Sequence, residues 1–561
     1  MEYLLTNISC DLPKSNSIYY TEDFSFSNNA LILKEGYFSS RKYESLDFDE
    51  ILTQHPDGIY NYLKYIPESN ELIFTNDKLG KMPVYYYHSK NNFAISNQPW
   101  KIIRLINDVN INQQRVLAQL YYYTIPSEKY TFIDNLYKIP AASVFRYNFS
   151  TNKLDITQYW RLNYDFSGPA LPELEALERL DQDLHRSIDR LQKLSHNRKI
   201  ALGNSSGFDS RLMALYCKEH GLDLHGFTVC NPNTKLGFKS YTHKNANRIA
   251  DYLGFQNQII DYHPKNIKNR ILLDVRNNPF DISQFFKNPY LALSNRDIMV
   301  TGQHGALVGA HWSDTLNKTN SKYIRKYFKY FFEKHKAFKN KLSKLLGKIF
   351  STDGLYSQES ILDRVIQKPK DKLKEYLDDA TSNDFINLFM YYYLTVHDRY
   401  GYNAGFESIN RTISSFYFYY PFVLENTFQW KQTYFNNRYL LKKLLNKKDP
   451  YLAQLPNSDL ERINDKSVYQ KLVDPIKLTF RSTGINFSHW VQDQNYITQY
   501  KKIINRPNPI FDEIVDKELL LNKKLYKEMN GGGDFLKVKV ILDIIYYEEY
   551  NKLDKKKFYM Q

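Results

Sequence analysis

The segment 198–218 constrains the fold of this chain more than any other. A short apolar run that ends at Leu202 predicts a buried strand, and the apolar run 212–215 predicts a helix. The turn between them, residues 203–210, consists mostly of small and polar residues. In such a strand–turn–helix unit the N–H groups of the turn and of the helix N-terminus converge and favour an anion. The segment therefore predicts an α/β fold with an anion-binding turn.

Five residues of this turn are candidates for binding an anion and its metal ion. Hydroxyl donors come from Ser205, Ser206 and Ser210, and Gly207 lets the backbone approach a ligand closely. Asp209 supplies a carboxylate, the kind of ligand that holds Mg²⁺ beside phosphate oxygens. A serine-rich N-cap on an ordinary helix is the alternative interpretation of the same residues.

Strand and helix patterns alternate from residue 171 onward, which is typical of a doubly wound parallel sheet. A charged amphipathic helix is predicted over 171–194. Further helices are predicted to end at 220 and to span 241–253, and the predicted strands are 199–202, 222–229, 258–261 and 297–301. Beyond about residue 317 the pattern is mostly helical, with a final helix predicted over 535–550 after the break at Asn530-Gly531-Gly532-Gly533.

The first 155 residues differ, because their short alternating segments bounded by turns indicate a β-rich domain. Clear examples are 71–75, 84–88 and 92–96. Residues 166–170 contain Gly168 and Pro169 and predict a linker. We therefore predict a β-rich sandwich domain over 1–165 and an α/β domain over 171–561 whose C-terminal part is helical.

A chain of 561 residues, 42% of them hydrophobic, is long enough for two or three folded domains and is not a disordered chain. The cysteines Cys10, Cys217 and Cys230 form neither a disulfide framework nor a CxxC metal motif. No apolar stretch is long enough to span a bilayer, and the first ten residues do not resemble a signal peptide. These features predict a cytoplasmic protein with reduced thiols and no membrane span.

The formal net charge of +15 is unevenly distributed. Residues 318–348 contain eleven Lys or Arg and one acid, Glu333, with aromatic and aliphatic residues at helical spacings between them. We interpret the region of about 317–350 as a basic helical insertion. A solvated face over an apolar stripe is the simpler interpretation, and an acidic peptide, a nucleic acid or an anionic surface as partner is the alternative.

Residues 205–210, Ser-Ser-Gly-Phe-Asp-Ser, resemble the Ser-Gly-Gly-x-Asp-Ser loop of the ATP pyrophosphatases, with Ser206 in place of a glycine. Residues 76–97 resemble the Asp-x-x-Gly-x-x-Pro-Leu-Tyr-Tyr…Phe-x-x-Ser segment of asparagine synthetase amidotransferase domains. Residues 297–305 and Tyr420-Pro421-Phe422 resemble two later elements of that family, in the family's order. Over residues 55–455 the chain thus resembles the asparagine synthetase family.

The resemblance implies a degenerate Ntn-type amidotransferase-like domain followed by an ATP-binding synthetase domain that uses ATP and Mg²⁺. It implies that Ser205, Ser206, Gly207 and Ser210 bind the pyrophosphate end of ATP, and that Asp209 binds Mg²⁺. Main-chain groups at strand ends would flank adenosine; these are Leu202, Val229 and Gly302. We expect Arg211 to face either the phosphates or solvent, with an exposed position on the helix surface favoured.

Glu2 stands where glutamine-using members of the family have the cysteine nucleophile that releases ammonia from glutamine. The resemblance therefore implies that this front domain has no glutaminase activity, because acyl transfer there requires a thiol beside a free α-amine. The same loss marks the β-lactam synthetases and lasso-peptide cyclases, which use an amine already present on the substrate.

The synthetase half also departs from the family. Ala306 and Leu307 replace an Asp-Glu pair, so the second carboxylate ligand for Mg²⁺ is missing from its usual place. Gln303 and His304 are our candidates for catalytic groups near the reacting carboxyl, although a neutral amide is not a general base. For the catalytic lysine the candidate is Lys466, chosen by position, with Lys477 and Arg481 as alternatives.

The sequence therefore predicts an AMP-forming ligase that adenylates a carboxylate and forms an amide with ammonia or a substrate amine. Its expected partners are a small-molecule or peptide carboxylate and an amine donor, and a homodimer or a biosynthetic partner protein is also considered. A catalytically inactive scaffold or binding protein is the first alternative. A nucleic-acid-modifying ATP pyrophosphatase is the second, and the absence of paired sulfur-carrying cysteines argues against it.

Overall fold

The computed structural model describes most of residues 3–261, then 298–301, 366, 425–455, 494–522 and 533–548, with short gaps inside several of these ranges. The first part contains short helices α1 (Phe48–Gln54), α2 (Pro99–Ile103) and α3 (Gln113–Tyr122). Its strands are β1 Leu4–Thr6, β2 Lys14–Ser15, β3 Ile18–Tyr20, β4 Ser25–Ser27, β5 Ala30–Phe38, β6 Gly58–Ile66, β7 Glu71–Asn76, β8 Tyr85–Ser89, β9 Asn92–Ser96, β10 Leu136–Lys138, β11 Ser143–Asn148 and β12 Lys153–Gln158.

These strands form two six-stranded antiparallel sheets, ordered β10-β8-β9-β1-β3-β2 and β12-β11-β7-β6-β5-β4. Alternate residues of both sheets meet in one apolar core, as the period of two along a strand requires. Phe93 of the first sheet stacks on Tyr147 of the second with ring centroids 3.9 Å apart. The predicted β-rich sandwich is therefore confirmed.

Gly36 marks the tightest backbone approach in this sandwich. Its φ is +96°, and it pairs with Tyr60 across β5 and β6. A Cβ atom at this position would lie 2.0 Å from the carbonyl oxygen of Ile59. Only glycine fits both the backbone angle and the space.

The parallel sheet predicted for the second part is present. Its described strands are β13 Ile200–Gly203, β14 Leu224–Cys230, β15 Gln256–Asp261 and β16 Ile298–Thr301, in the order β15-β14-β13-β16 with every pair parallel. The helices of this part are α4 Glu173–Ser195, α5 Phe208–Glu219 and α6 Ser240–Leu253. Each predicted boundary among these strands and among α4 and α6 lies within two residues of the observed one.

Two further helices complete the core of the parallel sheet, α7 (Tyr439–Lys448) and α8 (Pro450–Gln454). Four leucines of α7 pack with α4 and α5 in this core. Leu79, from the turn between β7 and β8, enters the same core. Beside it, the Lys78 ammonium contacts Asp57 at 2.9 Å and Glu425 at 2.8 Å, so that this turn joins the sandwich to the parallel-sheet part.

The described C-terminal helices pack elsewhere. They are α9 Gln494–Ile504, α10 Pro509–Ile514, α11 Lys517–Leu520 and α12 Gly533–Tyr546. Their apolar residues share one core with α2, α3 and the outer face of the first antiparallel sheet, where Leu4, Tyr85 and Ala94 lie. The domain boundaries 1–165 and 171–561 therefore stay a prediction, and the C-terminal helices are part of the core that covers the front sandwich.

The predicted final helix is present, but Gly533 belongs to it as its first residue. The basic insertion predicted at about 317–350 lies outside the described residues. Among the helices that are described, none is both long enough and apolar enough to cross a membrane.

Candidate functional site

The turn predicted to bind an anion lies at the carboxyl edge of the parallel sheet, at the point where the strand order reverses. From β13 the chain proceeds to β14 and β15 on one side, and β16 then adds on the other side. Gly203 at the end of β13 lies in register with Thr301 at the end of β16. In open α/β sheets, ligands bind in the crevice at such a switch point.

The turn between β13 and α5 leaves the helix N-terminus without a side-chain cap. Ser206 adopts a left-handed conformation with φ +59°, and Gly207 is the N-cap of α5 without a side-chain cap hydrogen bond. The Ser205 hydroxyl accepts a long 3.3 Å hydrogen bond from the Gly207 N–H and lies 3.3 Å from the Ser210 hydroxyl. The Ser210 hydroxyl donates to the Gly207 carbonyl at 3.0 Å. The structure thus brings together the hydroxyls of Ser205 and Ser210 and the N-terminus of a twelve-residue helix.

Ser206 is the strained residue of the turn. It is fully buried, and its hydroxyl makes no hydrogen bond to the described part of the chain. A non-glycine residue in the left-handed region is unfavourable, and so is a buried hydroxyl without a partner. The glycine that the resemblance puts at this position would avoid both costs.

We expect Ser206→Gly to stabilise the protein by about 1 kcal/mol, because it relieves the left-handed strain and removes the buried hydroxyl. The urea midpoint of unfolding measures this change. Ser205→Gly is the matched control in the same turn: it removes two hydrogen bonds at a residue with negative φ and should lower the midpoint. A Ser206→Gly protein with a lower midpoint than the wild type would contradict the expectation.

Asp209 in the first turn of α5 lies beside a cation that the sequence analysis missed. Its Oδ2 is 3.7 Å from Nη1 of Arg438, and the two side chains are 15% and 16% exposed. Arg438 is the N-cap of α7 and has φ +56°. No local pattern distinguishes it from the neighbouring lysines, because only the packing of α7 on α5 brings it to the turn. Arg438 adds a guanidinium, a good phosphate ligand, to the mouth of the site.

Asp209 is the predicted Mg²⁺ ligand among the described residues. They contain no cluster of three or more His, Cys, Asp or Glu that could hold a metal ion. This donor set still fits Mg²⁺ bound together with a polyphosphate, since Mg²⁺ uses one or two carboxylates and takes its other ligands from phosphate oxygens and water. It does not fit a metal held by the protein alone.

The expectation for Arg211 was wrong. We expected an arginine facing phosphate or solvent, but its side chain is completely buried. Its guanidinium donates to three main-chain carbonyls, those of Ser206, Leu452 and Leu455. Burial lowers the pKa of Arg211 to about 10, so the group stays protonated at neutral pH. Buried main-chain carbonyls need hydrogen-bond donors. The Arg211 guanidinium supplies these donors and therefore does not face solvent.

The strand-end residues predicted to flank adenosine occupy the expected strands. Leu202 is buried in β13 between Gly226 and Val300, and Val229 lies in β14 opposite Ile260. Their contact with adenosine stays a prediction. Gly302, Gln303, His304 and Lys466 lie outside the described residues, as do Ala306, Leu307, Lys477 and Arg481.

Comparisons with known proteins give limited information. No protein-family model matches the chain. A stretch of 70 residues, 11% of the chain, is 36% identical to the tRNA-specific 2-thiouridylase MnmA of Persephonella marina, and the match covers 20% of that protein. The chain is also similar to the structure of glutamine phosphoribosylpyrophosphate amidotransferase from B. subtilis in complex with ADP and GMP. That match has 8% identity and a TM-score of 0.17 and covers 43% of this chain and 48% of that one.

Proposed function

We propose that this chain is an ATP-dependent, AMP-forming ligase that adenylates a carboxylate and joins it to ammonia or a substrate amine. The observation that carries the proposal is the N-terminus of α5, which has no side-chain cap and lies behind the turn at Ser206 at the switch point of the parallel sheet. A helix N-terminus of this kind favours an anion. Two neighbouring hydroxyls and a guanidinium beside Asp209 suit a polyphosphate better than a single carboxylate.

In this proposal ATP is a substrate. Ser206, which the resemblance assigned to the pyrophosphate, is fully buried and is given no contact with it, and each of the other predicted turn residues has one task. The Gly207 N–H and the hydroxyls of Ser205 and Ser210 bind the pyrophosphate, and Arg438 neutralises part of its charge. Asp209 would hold Mg²⁺. The metal ion would stabilise negative charge on the departing pyrophosphate.

The chemistry follows from the poor reactivity of a carboxylate, whose leaving group would be oxide. A carboxylate oxygen attacks the α-phosphorus of ATP, the bond to the bridging oxygen breaks, and pyrophosphate leaves. The acyl-adenylate is then attacked by an amine, the bond from carbonyl carbon to AMP oxygen breaks, and one proton is released with AMP. Gln303, His304 and Lys466 remain the proposed groups for the second step.

The front sandwich serves a different purpose in this proposal from that of a glutaminase. Its Ntn-type relationship rests on the resemblance of the sequence, and Glu2 stands where the nucleophilic thiol would be. Without that thiol the domain does not release ammonia from glutamine. We therefore propose that the amine arrives free or as part of the substrate.

A second candidate function is modification of a nucleic acid, because the 70-residue match is to a tRNA-specific 2-thiouridylase. Cys217 is not suited to carry sulfur in such a reaction. It is fully buried, and burial raises its thiol pKa well above the ordinary value. This second candidate would be favoured over the ligase if AMP release required tRNA and did not require an added carboxylate or amine.

Gly207→Ala is the sharpest test of the anion site. Among the described residues, the only atom within 4 Å of the added methyl group is the flexible Ser205 Oγ at 3.2 Å, so the free protein should tolerate it, with a change in unfolding free energy below about 1 kcal/mol. A phosphate seated against the turn would collide with the same methyl group. We expect calorimetry with α,β-methylene-ATP and Mg²⁺ to give a wild-type Kd in the micromolar range, and at least tenfold weaker binding for the variant.

The matched control is Gly168→Ala, where an added Cβ meets no atom of the described residues within 4 Å. It should bind the analogue like the wild type. If the wild type does not bind the analogue with or without Mg²⁺, the ligase proposal fails and the scaffold alternative takes its place. Equal binding by the wild type and Gly207→Ala would instead mean that the nucleotide does not bind at this turn.

A further inference from the structure

We infer that Arg211 is a positioning residue that holds the turn in its anion-binding form, by fixing the peptide plane between Ser206 and Gly207. This inference rests on the proposed function, because it concerns how the same site is kept ready for a polyphosphate. Arg211 itself does not touch the ligand in this account. It acts through the amide that does.

The geometry is that of a clamp. Nε and Nη2 of Arg211 both donate to the Ser206 carbonyl oxygen, at 3.2 and 2.8 Å. Nη1 donates to the carbonyls of Leu452 and Leu455 at 2.8 and 2.6 Å. The ring of Phe208 lies 5.0 Å from the guanidinium carbon. The planar fork of an arginine can make these contacts together, whereas an ammonium on a flexible stem cannot.

Fixing this carbonyl also fixes the next N–H. In a trans peptide the C=O of one residue and the N–H of the following residue point in opposite directions within one plane. Because Arg211 holds the Ser206 carbonyl on its own side, the Gly207 N–H must point away from Arg211. The proposed function uses this N–H, which donates the long 3.3 Å hydrogen bond to the Ser205 hydroxyl, as a ligand of the pyrophosphate.

The clamp also sets the position of the second cation. Leu452 lies in α8 and Leu455 is its C-cap, so Arg211 joins the turn to the α7–α8 pair. Arg438, the N-cap of α7, is the cation beside Asp209. One buried guanidinium therefore links both parts of the site, the turn amide and the helix pair that carries the guanidinium at the mouth.

Arg211 adds charge as well as geometry. All of its hydrogen-bond acceptors are carbonyls, and within the described residues it forms no ion pair with a carboxylate. A buried cation without a counter-charge carries a desolvation cost. The same uncompensated charge raises the electrostatic potential at the neighbouring turn and so favours a polyanion.

The test compares two ligands on Arg211→Lys: inorganic pyrophosphate with Mg²⁺, which uses the turn, and adenosine, which uses strand ends. We expect the Kd for pyrophosphate to rise at least tenfold and the Kd for adenosine to change less than twofold. A merely structural role would weaken both ligands together. Arg115→Lys is the matched control, since Arg115 is also completely buried but lies in α3 of the front sandwich.

A second measurement does not depend on ligand binding. In protein labelled with ¹⁵N-glycine, the Gly207 amide resonance is identified by its loss in Gly207→Ala. We expect Arg211→Lys to shift this resonance and Arg115→Lys to leave it in place. An unshifted Gly207 resonance overturns the inference, and so does parallel weakening of pyrophosphate and adenosine. If the wild type binds neither ligand, the proposed function fails and the inference fails with it.

Discussion

Asp209→Asn is expected to change pyrophosphate binding in opposite directions with and without Mg²⁺. With Mg²⁺ present, affinity should fall about 100-fold, because the carboxylate proposed to bind the metal ion is lost and a neutral amide is a poor ligand for a hard cation. Without Mg²⁺, affinity should rise several-fold. The variant removes a negative charge from the anion site, and with it the ion pair between Asp209 and Arg438 at 3.7 Å.

The magnitudes follow from simple electrostatics. Unit charges about 4 Å apart near a protein surface interact by roughly 4 kcal/mol before screening, and a tenfold change in affinity corresponds to about 1.4 kcal/mol. A several-fold gain in affinity therefore corresponds to a small part of the interaction energy between the Arg438 charge and a nearby anion. Asparagine keeps the size of the aspartate side chain, so the turn and α5 should keep their packing.

Calorimetric titration of pyrophosphate at fixed ionic strength, with Mg²⁺ and then with a chelator, measures both effects. Asp251→Asn is the matched control: it makes the same change of charge at an exposed position on α6 and should leave both affinities unchanged. If Asp209→Asn weakens binding equally under the two conditions, Asp209 is not the metal ligand. If Mg²⁺ does not change the affinity of the wild type for pyrophosphate, the site does not bind the metal ion together with the ligand.

Gly36→Ala should have the largest effect on stability of any single change considered. The added Cβ would meet the Ile59 carbonyl at 2.0 Å and the Tyr60 Cα at 2.8 Å, and both are backbone atoms of β6 that cannot rotate away. The φ of +96° adds a conformational cost for any residue with a side chain. We expect a loss of at least about 3 kcal/mol in unfolding free energy, or failure to accumulate as soluble protein.

Urea unfolding followed by tryptophan fluorescence measures the loss. The Cβ added by the same glycine-to-alanine change at Gly168 has no neighbour within 4 Å in the part of the chain that the structure describes, so this change should leave the midpoint unchanged. A Gly36→Ala protein with a wild-type midpoint would mean that β5 and β6 can separate locally without cost, which contradicts the pairing of the two strands along their whole lengths.

The sequence predicted the parallel-sheet part well because its elements give strong local signals. Buried parallel strands appear as short apolar runs, and the 23-residue α4 has an apolar stripe at helical spacing. The destination of the C-terminal helices could not be predicted this way. Their apolar positions require burial, but nothing in the pattern of α12 distinguishes the outer face of the front sandwich from the parallel sheet.

The site was predicted in part for the same reason. Ser205, Gly207, Asp209 and Ser210 follow one another in a single turn, so a local motif was enough to find them. Arg438 is far away in the sequence and comes close only through the packing of α7. Arg211 was misjudged because helical periodicity does not reveal that α8 ends with carbonyls directed at its guanidinium.

The shared core of the front sandwich and the C-terminal helices has a consequence for synthesis on the ribosome. At 5–20 residues per second, roughly 20 to 70 s pass between the emergence of Leu136 and that of α9. During that interval the apolar outer face of the first sheet lacks the helices that later cover it. We expect chaperones that bind exposed apolar surface to bind this face during that interval. The outer face is fully buried only after nearly the whole sequence given has been translated.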